Sequence, residues 1–98
     1  MPRKHERKTI FTEVDLESAS GTRVARISDL SLGGCFVDTI VIARPGEMVS
    51  LKIKPENSEP IEIKGNVAYI FDGTGFGVSF IDVSDKAQAA LEKLTAEL

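Results

Sequence analysis

The chain has 98 residues, of which 42% are hydrophobic, and a formal net charge of −3, which suits one small domain with a modest core and argues against direct binding of nucleic acid through bulk charge. The single cysteine, Cys35, excludes an internal disulfide. No apolar run approaches the roughly 20 residues of a membrane span and no signal peptide opens the chain, so we expect a cytoplasmic protein without membrane insertion.

The first eight residues are basic, whereas the rest of the chain is acidic. Residues 1–8 contain Arg3, Lys4, Arg7 and Lys8 against one acid. The other ninety residues carry eight basic and fourteen acidic side chains. This distribution predicts a flexible basic arm over residues 1–8 that meets an anionic group, and the alternative is a solvated terminus without a ligand.

Alternating apolar residues predict a series of β-strands after the arm. The strands are expected at 10–16, 22–28, 35–38, 49–54, 61–71 and 76–80. Between the second and the third, residues 29–34 interrupt the pattern with a serine and two glycines. Further along, Pro45 and Gly46 occupy the central positions of a predicted type II turn.

The fifth predicted strand carries apolar residues of a single parity along its whole length. They are Ile61, Ile63, Val67, Tyr69 and Phe71. Because side chains alternate between the two faces of a strand, this parity predicts that all five share one face of the sheet.

Only the C-terminal end of the chain has helical periodicity. Ser84 is a suitable N-cap, and Ala87, Leu91, Leu94 and Leu98 fall on one stripe of a helix. We expect this stripe to cover an open barrel mouth or a sheet edge, the alternative being that it recruits a partner.

Six strands with short connections and one terminal helix predict a mainly β fold. Specifically, we expect one domain over residues 1–98, with a six-stranded antiparallel β-barrel at 9–82 and a C-terminal α-helix at 84–97. Strand and helix do not alternate, which argues against a parallel nucleotide-binding fold.

Signatures of enzymes and of cofactor sites are missing from the sequence. His5 and Cys35 are thirty residues apart and do not make a zinc site. Neither a Walker loop nor a Gly-x-Gly-x-x-Gly motif at the start of a helix is found. We therefore expect no catalytic activity, no metal and no cofactor.

Two short motifs carry the functional prediction. Arg3 and Arg7 are four residues apart, and two guanidinium groups can hold phosphate oxygens or the edge of a guanine from different sides. In Asp29-Leu-Ser31-Leu-Gly-Gly34, the carboxylate can accept from two donors on the edge of a guanine, and the serine hydroxyl can donate to phosphate or ribose. The alternative for the second motif is a plain turn between two strands.

Together and in this order, the two motifs resemble the PilZ domain family. The pattern of that family is R-x-x-x-R followed by [D/N]-x-S-x-x-G. Arg3 and Arg7 match the first part, and Asp29, Ser31 and Gly34 match the second. The resemblance extends over the chain and includes Gly75-Phe-Gly-Val-Ser-Phe80, which is similar to the last barrel strand of the family.

The resemblance implies a receptor for cyclic di-GMP, a bacterial second messenger. It implies that Arg3 and Arg7 hold the ligand from the arm, while Asp29 and Ser31 bind it from the barrel. Lys4 is a further candidate in the arm. Gly34 would make room for the base. The residues that adjoin these positions or could border the site are Gly33, Cys35 and Tyr69, and for Tyr69 a place in the core is an equal alternative.

Because only Met1 and Pro2 precede Arg3, we expect a freestanding domain whose output passes through a changed surface to a downstream protein partner. A second hypothesis is a PilZ-like adaptor that binds a protein and not the nucleotide.

Overall fold

Six strands precede a single helix in the computed structural model, which describes residues 8–19, 21–40, 43–56 and 58–97. The strands are β1 Lys8–Ser18, β2 Gly21–Leu30, β3 Gly34–Asp38, β4 Met48–Lys54, β5 Ile61–Phe71 and β6 Gly75–Ile81, and the helix is α1 Asp85–Ala96. The predicted mainly β fold with a C-terminal helix is confirmed. The difference that bears on the site lies in β2, which continues to Leu30, so that Asp29 belongs to a strand and not to the turn after it.

The strands close into a barrel in the order β1-β2-β3-β6-β5-β4, and β4 pairs again with β1. All neighbouring pairs are antiparallel. Closure gives every strand two partners, which removes the exposed edges on which another chain could add a strand. The predicted turn before β4 is confirmed, because Glu47 donates its N–H to the carbonyl of Arg44 at 3.0 Å and Gly46 has a φ of 85°.

The barrel interior is apolar, and each strand contributes to it. One fully or almost fully buried residue from each of the six strands, in chain order, is Leu16, Ile27, Val37, Ile53, Val67 and Phe76. The thiol of Cys35 belongs to the same cluster and is fully buried. Apolar side chains from all six strands therefore occupy the barrel interior.

Helix α1 lies outside the sheet and adds its buried residues to the apolar cluster of the barrel interior. Ala87, Leu91 and Leu94 are buried and pack in the same cluster as the residues of the barrel interior. Since the barrel wall is continuous, a helix can reach that cluster only through an open end. The prediction that the stripe covers a barrel mouth is confirmed for these three residues, while Leu98 lies outside the described residues. The N-cap is also confirmed, because Ser84 Oγ accepts from the N–H of Ala87 at 3.1 Å.

Of the three register shifts in the sheet, the two that involve β3 and β6 decide which side chains face outward near the end of β2 and of β5. The register of β2 against β3 shifts between Ile27 and Asp29, and that of β5 against β6 shifts between Val67 and Tyr69. Each shift inserts one extra residue, which reverses the alternation beyond it. Asp29 and Tyr69 would otherwise share the inward face with Ile27 and Val67.

The prediction that Tyr69 and Phe71 share a face with Val67 is wrong, because the bulge in β5 reverses the alternation after Val67. Ile70 packs against the core in their place, and Phe71 is 59% exposed. Tyr69 and Phe71 form an outer cluster with Phe36 of β3, with ring centroids 5.6 to 6.2 Å apart. The alternative that placed Tyr69 in the core is therefore wrong.

Helix packing gives a test of the fold. We expect Leu91→Ala to lower the free energy of unfolding by about 2–5 kcal/mol, because it empties a fully buried site in the core. The neighbouring Glu92→Ala, on the exposed face, should change it by less than about 0.5 kcal/mol. Urea denaturation followed by circular dichroism measures both, and equal small losses would contradict a helix that belongs to the core.

Candidate functional site

A row of residues directly opposite one another crosses the outer face of five strands. From β1 to β5 its members are Thr9, Asp29, Phe36, Gly77 and Tyr69. Neighbouring strands are about 4.8 Å apart, so the row is about 19 Å long. It places the acid of the second motif, an aromatic cluster and the first residues of β1 on a single surface, which we call the cross-strand row.

Asp29 lies in this row because of the bulge at Ser28. Its side chain is partly buried, and its Oδ1 atom is shielded from solvent. A carboxylate fixed on a barrel wall can accept two parallel N–H bonds from one edge of a planar base. The structure thus places Asp29 on the outer face of the barrel, and its contact with a ligand stays a prediction.

Ser31 holds the turn between β2 and β3. The residue is 5% exposed, and its Oγ accepts from the N–H groups of Gly33 at 3.2 Å and Gly34 at 3.1 Å. The hydroxyl is also within 3.3 Å of the carbonyl of Gly34, to which it donates. One donor and two acceptor positions are all that a hydroxyl offers. The alternative interpretation of this motif as a turn therefore accounts for Ser31, and a direct contact of Ser31 with a ligand stays a prediction.

The two glycines of the motif bind the same turn to β6. A Cβ on Gly34 would collide with the backbone carbonyl oxygen of Val78. The carbonyl of Gly33 accepts from the N–H of Phe80 at 2.9 Å. A close backbone approach is thus a sufficient reason for glycine at position 34, and the space for a base that we expected there stays a prediction. Because the thiol of Cys35 is buried in the core, only its backbone is available to the outer face.

Aromatic rings continue the row beyond Asp29. Phe36 is opposite Asp29, and Tyr69 and Phe71 extend from β5 across β6 towards it. Glycine in β6 makes this possible, since a Cβ on Gly77 would collide with the ring of Tyr69. Phe36 was not among the site residues predicted from the sequence, although it lies two residues after Gly34 and so has the outward parity of β3.

Arg3, Lys4 and Arg7 lie outside the described residues. The described part of the chain nevertheless fixes where the arm joins β1, because Lys8 is opposite Leu30 and Thr9 is opposite Asp29. Arg3 is six residues before Thr9, and six extended residues span about 20 Å. The arm is therefore long enough to bring its side chains to any point of the cross-strand row.

A separate groove contains none of the predicted site residues. A groove of about 540 Å³ lies between β4, β5 and the linker before α1, lined by charged side chains of both signs such as Lys52, Lys64 and Asp82. Among the residues that the structure describes, no group of three or more His, Cys, Asp or Glu side chains could hold a metal ion. In the same ranges, no helical segment has the length and hydropathy that a bilayer crossing requires.

Comparisons with known proteins agree with this architecture. Residues 2–97 match the model of a family described as the PilZ domain. No curated protein matches the chain.

Several solved structures have a similar fold. The inhibitor of motility MotI (DgrA) of Bacillus subtilis has a TM-score of 0.84 and 20% identity over 99% of this chain, which spans about half (51%) of that protein. The PilZ domain of YcgR from Escherichia coli, solved with c-di-GMP, has a TM-score of 0.80 and 18% identity and covers 100% of this chain and 92% of its own. PlzA of Borreliella burgdorferi, also in complex with c-di-GMP, has a TM-score of 0.74 and 16% identity. The match covers 93% of this chain and 40% of PlzA.

The hydrogen bonds of Ser31 lead to a prediction about stability. We expect Ser31→Ala to lower the free energy of unfolding by about 1–3 kcal/mol, because it leaves two backbone N–H groups of a tight turn without their acceptor. Ser79→Ala on the outer face of β6 removes the same hydroxyl from an exposed position and should change it by less than about 0.5 kcal/mol. Thermal and urea unfolding of both variants measure the difference, and a neutral Ser31→Ala would contradict the turn-forming role.

Proposed function

The chain belongs to the PilZ domain family, and on that premise we propose that it is a receptor for cyclic di-GMP. The observation that carries the proposal is the register of β1 against β2. Because Thr9 is opposite Asp29, the segment with Arg3 and Arg7 joins β1 beside the carboxylate of the second motif. Two motifs that are far apart in sequence can thus act on one ligand.

Each predicted site residue has a role in the proposed complex. Asp29 accepts hydrogen bonds from the N1–H and the exocyclic amine of a guanine. Arg3 and Arg7 hold the phosphates and stack on or bind the guanines, and Lys4 adds a point charge. Tyr69 offers an aromatic surface in the same row as Asp29.

The turn after β2 completes the barrel side of the proposed site. Gly34 provides a surface without a side chain, and Gly33 and Cys35 offer backbone groups. Ser31 acts mainly by holding this turn, since its hydroxyl is engaged there.

Support for the ligand comes from the solved relatives, because two PilZ structures with a similar fold contain c-di-GMP. The ligand class also agrees with the charge distribution, in which a basic arm belongs to an acidic body. A dianionic nucleotide attracts the arm and connects it to the barrel. The proposal requires no bond chemistry and no cofactor.

Ordering of the arm is the proposed output. Fixing a backbone residue costs about 1–2 kcal/mol, so the arginine contacts must offset a large unfavourable entropy. This makes the affinity sensitive to salt. An ordered arm over the cross-strand row changes the surface that a downstream protein partner meets, and we place this switch in the cytoplasm.

A second candidate function is that of an adaptor that binds a protein without the nucleotide. Two apolar side chains favour it, because Ile40 is 88% exposed and Phe71 is 59% exposed, and both line the same shallow depression of about 120 Å³. Exposed apolar surface of this kind suits a protein partner. NMR titration separates the two functions, since an adaptor would show no shifts at residues 1–8 and 29–35 when cyclic di-GMP is added.

Substitutions in each half of the site test the receptor. We expect Arg3→Ala and Asp29→Ala each to weaken the binding of cyclic di-GMP by at least tenfold, or about 1.4 kcal/mol, because each removes charge-assisted contacts to the ligand. Calorimetric titration measures affinity and stoichiometry together, with GTP and cyclic GMP as control ligands.

Arg44→Ala and Asp72→Ala are matched control variants, because they remove the same charges from exposed loop positions. Both should bind within twofold of the unmodified chain. Unchanged affinity in both Arg3→Ala and Asp29→Ala would refute the receptor proposal.

A further inference from the structure

Arg26 is an exposed residue of β2 that lies three positions before Asp29. In a regular strand, residues 26 and 29 would lie on opposite faces. The bulge at Ser28 reverses the alternation between them, so both point to the outside of the barrel. Three residues of extended strand separate them by about 10 Å. A basic group on the rigid barrel therefore lies within the span of a dinucleotide held at Asp29.

Two acidic residues are opposite Arg26, but neither pairs with it. Glu13 faces it from β1 and Asp38 faces it from β3. Asp38 Oδ1 accepts from Ser28 Oγ at 3.0 Å, and Glu13 Oε2 lies 3.6 Å from Lys54 Nζ. Both carboxylates are thus engaged with other groups.

Lys54 of β4 pairs with acidic residues of β1. Its Nζ lies 2.9 Å from Asp15 Oδ2, and the hydrogen bond with Asp15, with a smaller effect of Glu13, raises the pKa of Lys54 above its usual value. In contrast, the exposed guanidinium of Arg26 forms no ion pair or hydrogen bond in the part of the chain that the structure describes.

We propose that Arg26 binds a phosphate of the anionic ligand and so supplies a third guanidinium, this one carried by the barrel. This inference rests on the proposed function. A guanidinium fork binds phosphate in a bidentate manner. Because the backbone of Arg26 is already fixed in β2, its contact costs only side-chain entropy, whereas a contact from the arm also costs backbone entropy.

The alternative is an ordinary surface arginine between two acids, and such pairs contribute little. The two roles differ in what they predict for binding. A phosphate contact affects affinity and its salt dependence, whereas a surface arginine affects neither.

The experiment is a calorimetric titration with cyclic di-GMP of the full chain and of Arg26→Ala, Arg26→Lys and Arg23→Ala. Arg23 is the control, because it is an exposed arginine on the same strand. Its pairing with the buried Leu16 places it on the other face of β2 from Arg26. We expect Arg26→Ala to weaken binding about five- to tenfold and Arg26→Lys to lose less, since a lysine keeps a point charge. Arg23→Ala should stay within twofold of the unmodified chain.

Salt dependence gives a second readout. The decrease of affinity with rising salt should be shallower for Arg26→Ala than for Arg23→Ala, because one charged contact is missing. Thermal unfolding of each variant shows whether the barrel is intact, and if Arg26→Ala is destabilised, Arg26→Gln keeps the length of the side chain without its charge.

Three results would overturn the inference. If the unmodified chain binds and Arg26→Ala binds equally well, Arg26 has no contact with the ligand and the receptor proposal stands. If Arg26→Ala and Arg23→Ala weaken binding equally, the effect is one of overall charge. If the unmodified chain does not bind cyclic di-GMP, the proposed function fails and this inference fails with it.

Discussion

One extra residue in β2 determines what the outer surface of the barrel offers. Side chains alternate strictly along a strand, so a carboxylate two residues after the buried Ile27 would point into the core. An unpaired carboxylate there would be costly. The bulge at Ser28 turns Asp29 outward while Leu30 returns to the core. The bulged residue is itself bonded to Asp38 on β3, which helps to fix the distortion in place.

The rest of the site follows from the packing of β6 between β3 and β5. Glycine at 77 leaves the outer face of β6 bare, and rings from both neighbouring strands cover it. On the other side of the row, a glycine at 34 lets the turn after β2 approach the backbone of Val78, and Ser31 holds that turn from within. The candidate surface is therefore a face of the barrel wall that shares its backbone with the core.

Most of the fold could be predicted from the sequence, because strand alternation and helical periodicity are local signals. The bulges were harder, although each leaves a trace. Ile27 and Leu30 are both buried and three residues apart, as are Val67 and the partly buried Ile70, and a regular strand allows only even spacings on one face. At β5 the aromatic residues 69 and 71 continued the earlier parity and concealed this trace.

The two halves of the candidate site differed in what the sequence could establish. The motif from Asp29 to Gly34 identified the correct turn, but not which of its residues hold the turn and which face a ligand. Which hydroxyl binds a ligand and which holds a turn depends on a count of hydrogen bonds, and that count needs coordinates. Phe36 was hidden for a related reason, since an apolar residue between Cys35 and Val37 is typical of a core strand.

A site on an open face has a consequence for signalling. A ligand enclosed in a barrel interior would be hidden from a partner, whereas here apolar side chains occupy the interior and the candidate residues lie on the outer face. On the outer face, the barrel covers only one side of a ligand, and the other side must be covered by groups that the chain brings to it. The basic arm is a nearby source of such groups, because it joins β1 at the residues opposite Asp29 and Leu30. In the proposed receptor, binding and a change of surface are therefore the same event, and no separate element is needed to transmit it.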